Sequence, residues 1–203
     1  MHIRQGDIMT VEEKIYKEVK KRCEQPTNAY GMGAWDHHIK IVYELVKKYA
    51  AEYGANLEIV SIAALLHDIA SVTDVTFTEE HHIIGAEIAE KLLLVEDYPL
   101  EHIEMIKRCI LNHRGSRLVE KTSPEEICVA DSDAMAHFYS IPSLLSMVYK
   151  EKNLSIDEGS KFVMSKLDRS YNKMSDKGKI LVKRQYESAK NVLINDNSLF
   201  NNK

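Results

Sequence analysis

The sequence predicts an all-α protein, a single-domain bundle of roughly eight or nine helices. Three observations carry this prediction. Only 8 Gly and 4 Pro in 203 residues leave long stretches free of helix breakers. Apolar residues recur at three- and four-residue spacing, and Ser, Thr or Asn stand in front of several of those stretches in capping patterns. No convincing alternating strand and no internal repeat is found.

The first helix starts at Thr10-Val11-Glu12-Glu13, which has the spacing of a capping box, and runs to about Cys23. Gln25-Pro26-Thr27-Asn28, followed by Gly31 and Gly33, breaks it. The second helix begins at or near His37-His38 and carries Ile39, Val42, Leu45, Val46 and Tyr49 on one face. Asn56 caps a third, from Leu57 to about Ile69, whose apolar positions leave little polar surface and whose inner end is His67-Asp68. After the polar stretch Ser71 to Thr78, His81-His82 opens a helix holding Ile83, Ile84, Ala86, Ile88, Ala89, Leu92 and Leu93.

Pro99 suits the first turn of the next helix, which aligns Ile103, Ile106, Ile110 and Leu111, delivers His113 and stops at Gly115. Ser123-Pro124-Glu125-Glu126 combines a capping pattern with proline at the first helical position and starts a helix through Asp131 to Phe138. A helix from Ser143 to about Lys150 follows. Ser155-Ile156-Asp157-Glu158 then opens the last two, split near Ser175-Asp176-Lys177-Gly178, and Asn195 to Lys203 reads as a frayed end. Three segments result: an N-terminal helix and connection (1–33), a core bearing the chemistry (34–138), and C-terminal helices packing on it (139–203).

Composition excludes several function classes. A formal charge of -4 and a pI near 6.1 argue against an extended nucleic-acid surface, leaving room only for a local basic pocket. Cys23, Cys109 and Cys128 are far apart and include no CxxC pair, which suits reduced thiols rather than a disulfide framework or a thiolate zinc site. Met1 to Thr10 has no apolar h-region, and the longest apolar run, Ile62 to Leu66, is far short of a bilayer span. The expected location is cytoplasmic, with no membrane partner.

The chemistry sits at helix ends: His38, the pair His67-Asp68, His81 or His82, and His113, followed by Asp131 and Asp133. Imidazole with carboxylate suits first-row divalent metals, and a carboxylate can bridge two ions. The bland alternative for His67-Asp68 is a helix-end cap beside a satisfied core histidine. Burying two ionisable neighbours behind Ile-Ala-Ala-Leu-Leu carries a desolvation cost that a metal would offset, which favours ligation.

Together these residues resemble the HD-domain superfamily of metal-dependent phosphohydrolases, over roughly Ala34 to Phe138. Trp35-Asp36-His37-His38-Ile39-Lys40-Ile41-Val42 resembles the family's first motif and selects His38 over His37. Ala63-Ala64-Leu65-Leu66-His67-Asp68-Ile69 is similar to its signature doublet. Val129-Ala130-Asp131-Ser132-Asp133 is similar to its closing motif, with Asp131 taken as the ligand and Asp133, about 200° round the helix, as a supporting group. His81-His82-Ile83-Ile84-Gly85-Ala86 and Asn112-His113-Arg114 resemble the extra histidine segments of two-metal members, aligning His81 rather than His82.

The resemblance implies one or two divalent ions per chain (Mn, Fe, Co, Ni, Zn or Mg). One would take His38, His67, Asp68 and Asp131, the other Asp68, His81 and His113, with Asp68 as the bridge. It further implies hydrolysis of a phosphoester or phosphoanhydride bond in a small phosphorylated substrate, a nucleotide or similar metabolite, by metal-activated water. Asp68 or a neighbouring carboxylate would steer the water. Arg114 is the best-placed cation for the phosphate, set against an ordinary role at a helix C-terminus. Lys166 and Arg169, with Lys173, would close over a phosphate chain or else form a solvated helix face. A homodimer is compatible with this arrangement. The alternatives are a non-catalytic metal- or nucleotide-binding sensor of the same fold and a two-iron oxygenase. The lack of a Gly-Tyr-Pro motif argues against cyclic dinucleotides.

Overall fold

A computed structural model describes residues 9–28, 30–114 and 120–194. The expected stop at Gly115 and the expected frayed end therefore lie outside the described residues. Those described form ten α-helices: α1 (Val11–Cys23), α2 (Lys40–Tyr53), α3 (Leu57–Leu66), α4 (Ile69–Thr73), α5 (His81–Val95), α6 (Leu100–Asn112), α7 (Pro124–Tyr139), α8 (Ile141–Lys150), α9 (Ile156–Lys173) and α10 (Asp176–Leu193). A π-helical turn, Trp35–Ile39, runs directly into α2, and a short 3₁₀ turn, Val75–Phe77, precedes α5. No strand occurs among the described residues.

The capping signals do what their chemistry requires. Thr10 and Ser155 each form a reciprocal box with Glu13 and Glu158, satisfying backbone N–H groups at both ends of the exchange. Asn56 accepts from the Glu58 and Ile59 N–H groups, and Ser123 accepts from Glu126 N–H ahead of Pro124. Gly54 closes α2 at φ 71°, the left-handed conformation that glycine adopts without strain.

α3 is the centre of the bundle: every residue from Ile59 to Leu66 is buried. α2 packs on α3 and α7, α5 on α4 and α6, and α6 and α7 close the far side of α3. α8, α9 and α10 form an outer layer on α7. The tenth helix, beyond the number expected, arises because the predicted Leu57–Ile69 helix breaks at His67-Asp68. Asp68 leaves helical geometry at φ −109°, ψ 16°, and α4 restarts one residue later. That break positions the site.

Candidate metal centre

Three imidazoles are fixed by the same local device. His67, just past the end of α3, has its Nδ1 2.7 Å from the carbonyl of Ala64. His113, just past α6, has its Nδ1 2.6 Å from that of Ile110, and His81, opening α5, lies 2.8 Å from that of Thr78. A carbonyl only accepts, so in each ring Nδ1 carries the proton and donates, and the neutral ring presents a bare Nε2. The fourth histidine, His38, comes from the π-helical turn that leads into α2.

Those Nε2 atoms converge on one carboxylate. His81 Nε2 and His113 Nε2 stand 3.2 Å apart, each 3.7 Å from Asp68 Oδ1. His38 Nε2 and His67 Nε2 stand 3.1 Å apart, each 3.4 Å from Asp68 Oδ2. Asp133 Oδ1 adds a second carboxylate oxygen, 3.3 Å from His38 Nε2. Asp68 thus offers one oxygen to each of two ligand groups. His38, His67 and Asp133 form one group, and Asp68, His81 and His113 the other, with ligand atoms inside each group within 4.8 Å of one another.

The residues fit divalent ions on their own chemistry. His81 and His113 aim two lone pairs at each other in a setting where His113 is almost fully buried, an arrangement that repels unless a cation accepts both. His38 responds to the same demand. Burial opposes its protonation, yet hydrogen bonds to Asp133 and Asp68 outweigh burial and raise its pKa to about 9. Burial pushes Asp133 up, but Lys173 and His38 hold it well below the usual carboxylate range.

Of the residues singled out in the sequence, the structure brings His38, His67, Asp68, His81 and His113 together and leaves Asp131 outside. The ligand reading of Asp131 is corrected by its surroundings. Its carboxylate accepts from Tyr53 Oη at 2.8 Å, from the Ser175 backbone N–H at 3.0 Å and from the Ser175 hydroxyl. Gly178 lies so close that an added Cβ would stand 2.5 Å from Asp131 Oδ2. Asp131 therefore fastens the start of α10 to α7 and α2. The two aspartates do face opposite ways round α7, as their spacing requires, but it is Asp133 that faces the histidines. The overlooked signal was Asp133 and His137 at i and i+4, one face of α7, with the His137 ring stacked on His38 at 5.4 Å between centroids.

Arg114 is not among the residues that line the cavity over His38 and Asp68. Its guanidinium donates to the Glu79 carbonyl at 2.5 Å, bracing the end of α6 against the approach to α5. Lys166 and Arg169 are well placed: both line a cavity of about 750 Å³ whose floor includes His38 and Asp68. Its walls add Tyr30, Leu144, Met147 and Phe162. Of the other histidines, His37 is exposed at the cavity rim, His82 is buried with its ring 5.7 Å from that of His81, and His102 lies against Tyr98.

An all-α bundle with an adjacent His-Asp pair at a helix break, surrounded by converging histidines, defines an HD-type metal-site architecture. The family model for the HD domain matches residues 35–137, and the chain belongs to that family. Ribonuclease Y of Petrotoga mobilis is 30% identical over 108 residues, 53% of this chain and 19% of that protein, and its Enterococcus faecalis counterpart is 32% identical over the same shares. Ribonuclease Y of Chloroflexus aurantiacus is 42% identical over 64 residues, 32% of this chain and 12% of that protein. The chain thus matches less than a fifth of the length of these relatives. A solved structure from an uncultured Thermotogales bacterium, described as a predicted HD superfamily hydrolase, shares the fold. It aligns with a TM-score of 0.52 and 20% identity over 88% of this chain and 91% of its own. No helix among the described residues is long and apolar enough to cross a membrane.

Proposed function

We propose that the protein is a metal-dependent phosphohydrolase that uses two divalent ions, bridged by Asp68, to cleave a phosphoester or phosphoanhydride bond of a small phosphorylated metabolite such as a nucleotide. The observation that carries the reading is the pair of bare Nε2 atoms of His81 and His113 facing each other beside Asp68 Oδ1, together with the meeting of His38 Nε2 and His67 Nε2 beside Oδ2. His38, His67, Asp68 and Asp133 would hold one ion and Asp68, His81 and His113 the other. When bound, such ions acidify water and polarise a phosphoryl oxygen.

The chain's own groups supply the rest. Lys166 and Arg169 place fixed positive charge on the cavity wall beside the centre, where a phosphate approaching Asp68 needs it. Arg169 donates one N–H to Ser165 at 2.8 Å, which steadies the guanidinium without consuming its remaining donors. Tyr30, Leu144, Met147 and Phe162 give the body of the substrate an apolar bed and displace water from it, as a nucleoside-sized group requires.

The test is turnover of a panel (a generic phosphomonoester, nucleoside mono- and triphosphates, and a short RNA oligonucleotide) by protein loaded in turn with Mn, Fe, Co and Mg. Release of phosphate or pyrophosphate from a small substrate, lost in Asp68→Ala, is the expected result. Cleavage confined to RNA would redirect the assignment toward the activity named for the ribonuclease Y relatives. No turnover with any ion bound would favour a sensor.

A further inference from the structure

The first ligand group is braced by a helix that lies outside the matched HD segment. Lys173, in the last turn of α9, places Nζ 2.9 Å from Asp133 Oδ2, while the other oxygen of the same carboxylate faces His38 Nε2 at 3.3 Å. One turn earlier on α9, Ser170 Oγ lies 2.9 Å from Nδ1 of His137, the ring that stacks on His38. α9 therefore meets this ligand group at two points, one on its carboxylate and one behind its outermost histidine. His81 and His113, by contrast, are oriented by main-chain carbonyls of their own segments.

We infer that Lys173 is a positioning residue for the first metal site, pinning Asp133 by one oxygen so that the other is presented as a ligand. This rests on the two-ion reading of the centre. The physical case is that Asp133 and Asp68 both press on His38 from opposite carboxylates, and Asp133 is only 6% exposed. A buried carboxylate keeps one orientation when a fixed donor takes one of its oxygens, and Lys173 does this for Asp133. Lys173 also acts against ion binding, since a positive charge 2.9 Å from a ligand repels an incoming cation. The two effects have opposite signs, so the sign of the change on removing the ammonium decides between them.

The experiment is titration of metal-stripped protein with Mn(II), following free ion by electron paramagnetic resonance, for the wild type, Lys173→Met, Lys173→Gln and Lys173→Arg, with far-UV circular dichroism as the folding control. The expected result is two binding phases in the wild type, with one weakened about tenfold in Met and Gln and the other unchanged, as loss of an outer partner of a ligand entails. Arg should restore the weakened phase to within roughly threefold, because it keeps the charge and a donor. A folded Met or Gln variant that binds as the wild type does, or more tightly, overturns the inference while leaving the two-ion reading intact. Equal weakening of both phases also overturns it. Absence of any binding in the wild type would overturn the two-ion reading and this inference with it.

Discussion

The two halves of the centre are built by different means. The half formed by His38, His67 and Asp133 draws on four separate parts of the chain, the π-helical turn, α3, α7 and the bracing residues of α9, so its geometry depends on tertiary packing. The half formed by His81 and His113 depends on two helix ends, each imidazole tied to a carbonyl three residues back. Asp68, at the break between α3 and α4, serves both. In the second half each ring is aimed by a neighbour along the chain; in the first, Asp133 is aimed by Lys173, 40 residues further on, and local spacing does not announce that partner.

Four substitutions break or sharpen this comparison. Asp68→Ala should have the largest effect, loss of both ions and of turnover with helical content retained, read by elemental analysis and circular dichroism. Asp133→Asn should strip the first half and leave about one ion per chain, since the remaining three-residue group is unaltered. Asp131→Asn should leave metal content alone and instead lower stability by about 1–3 kcal/mol, the cost of disturbing a buried acceptor with three donors, read by denaturant unfolding. An outcome in which Asp131→Asn loses the ion and Asp133→Asn keeps it would reverse the correction made from the geometry. Ser170→Ala should be the mildest, removing one hydrogen bond to His137 for about 0.5–1.5 kcal/mol of stability without changing ion number.

The fold was largely readable because its signals are local. Thr10, Asn56, Ser123 and Ser155 each cap the helix their patterns announce, and the few glycines and prolines fall between helices or at their ends more often than within them. Five of the six residues assigned as ligands come together, since histidines at helix ends beside a buried His-Asp pair are conspicuous without coordinates. Asp131 failed for a physical reason. Two aspartates two residues apart on one helix must face opposite ways, but which of them faces inward depends on where Tyr53 and Ser175 lie, 78 and 44 residues distant. The hydrogen bond from Arg114 to the Glu79 carbonyl is likewise set by the packing of α6 against the approach to α5. Neither contact has a trace in local spacing.

The central claim is that Asp68 bridges two ions, and anomalous scattering from crystals of the Mn-loaded protein tests it most directly. The account predicts two peaks about 3.5–4 Å apart, one beside His38, His67 and Asp133 and one beside His81 and His113, with Asp68 touching both. A single peak, or a pair of peaks that Asp68 does not join, would contradict it.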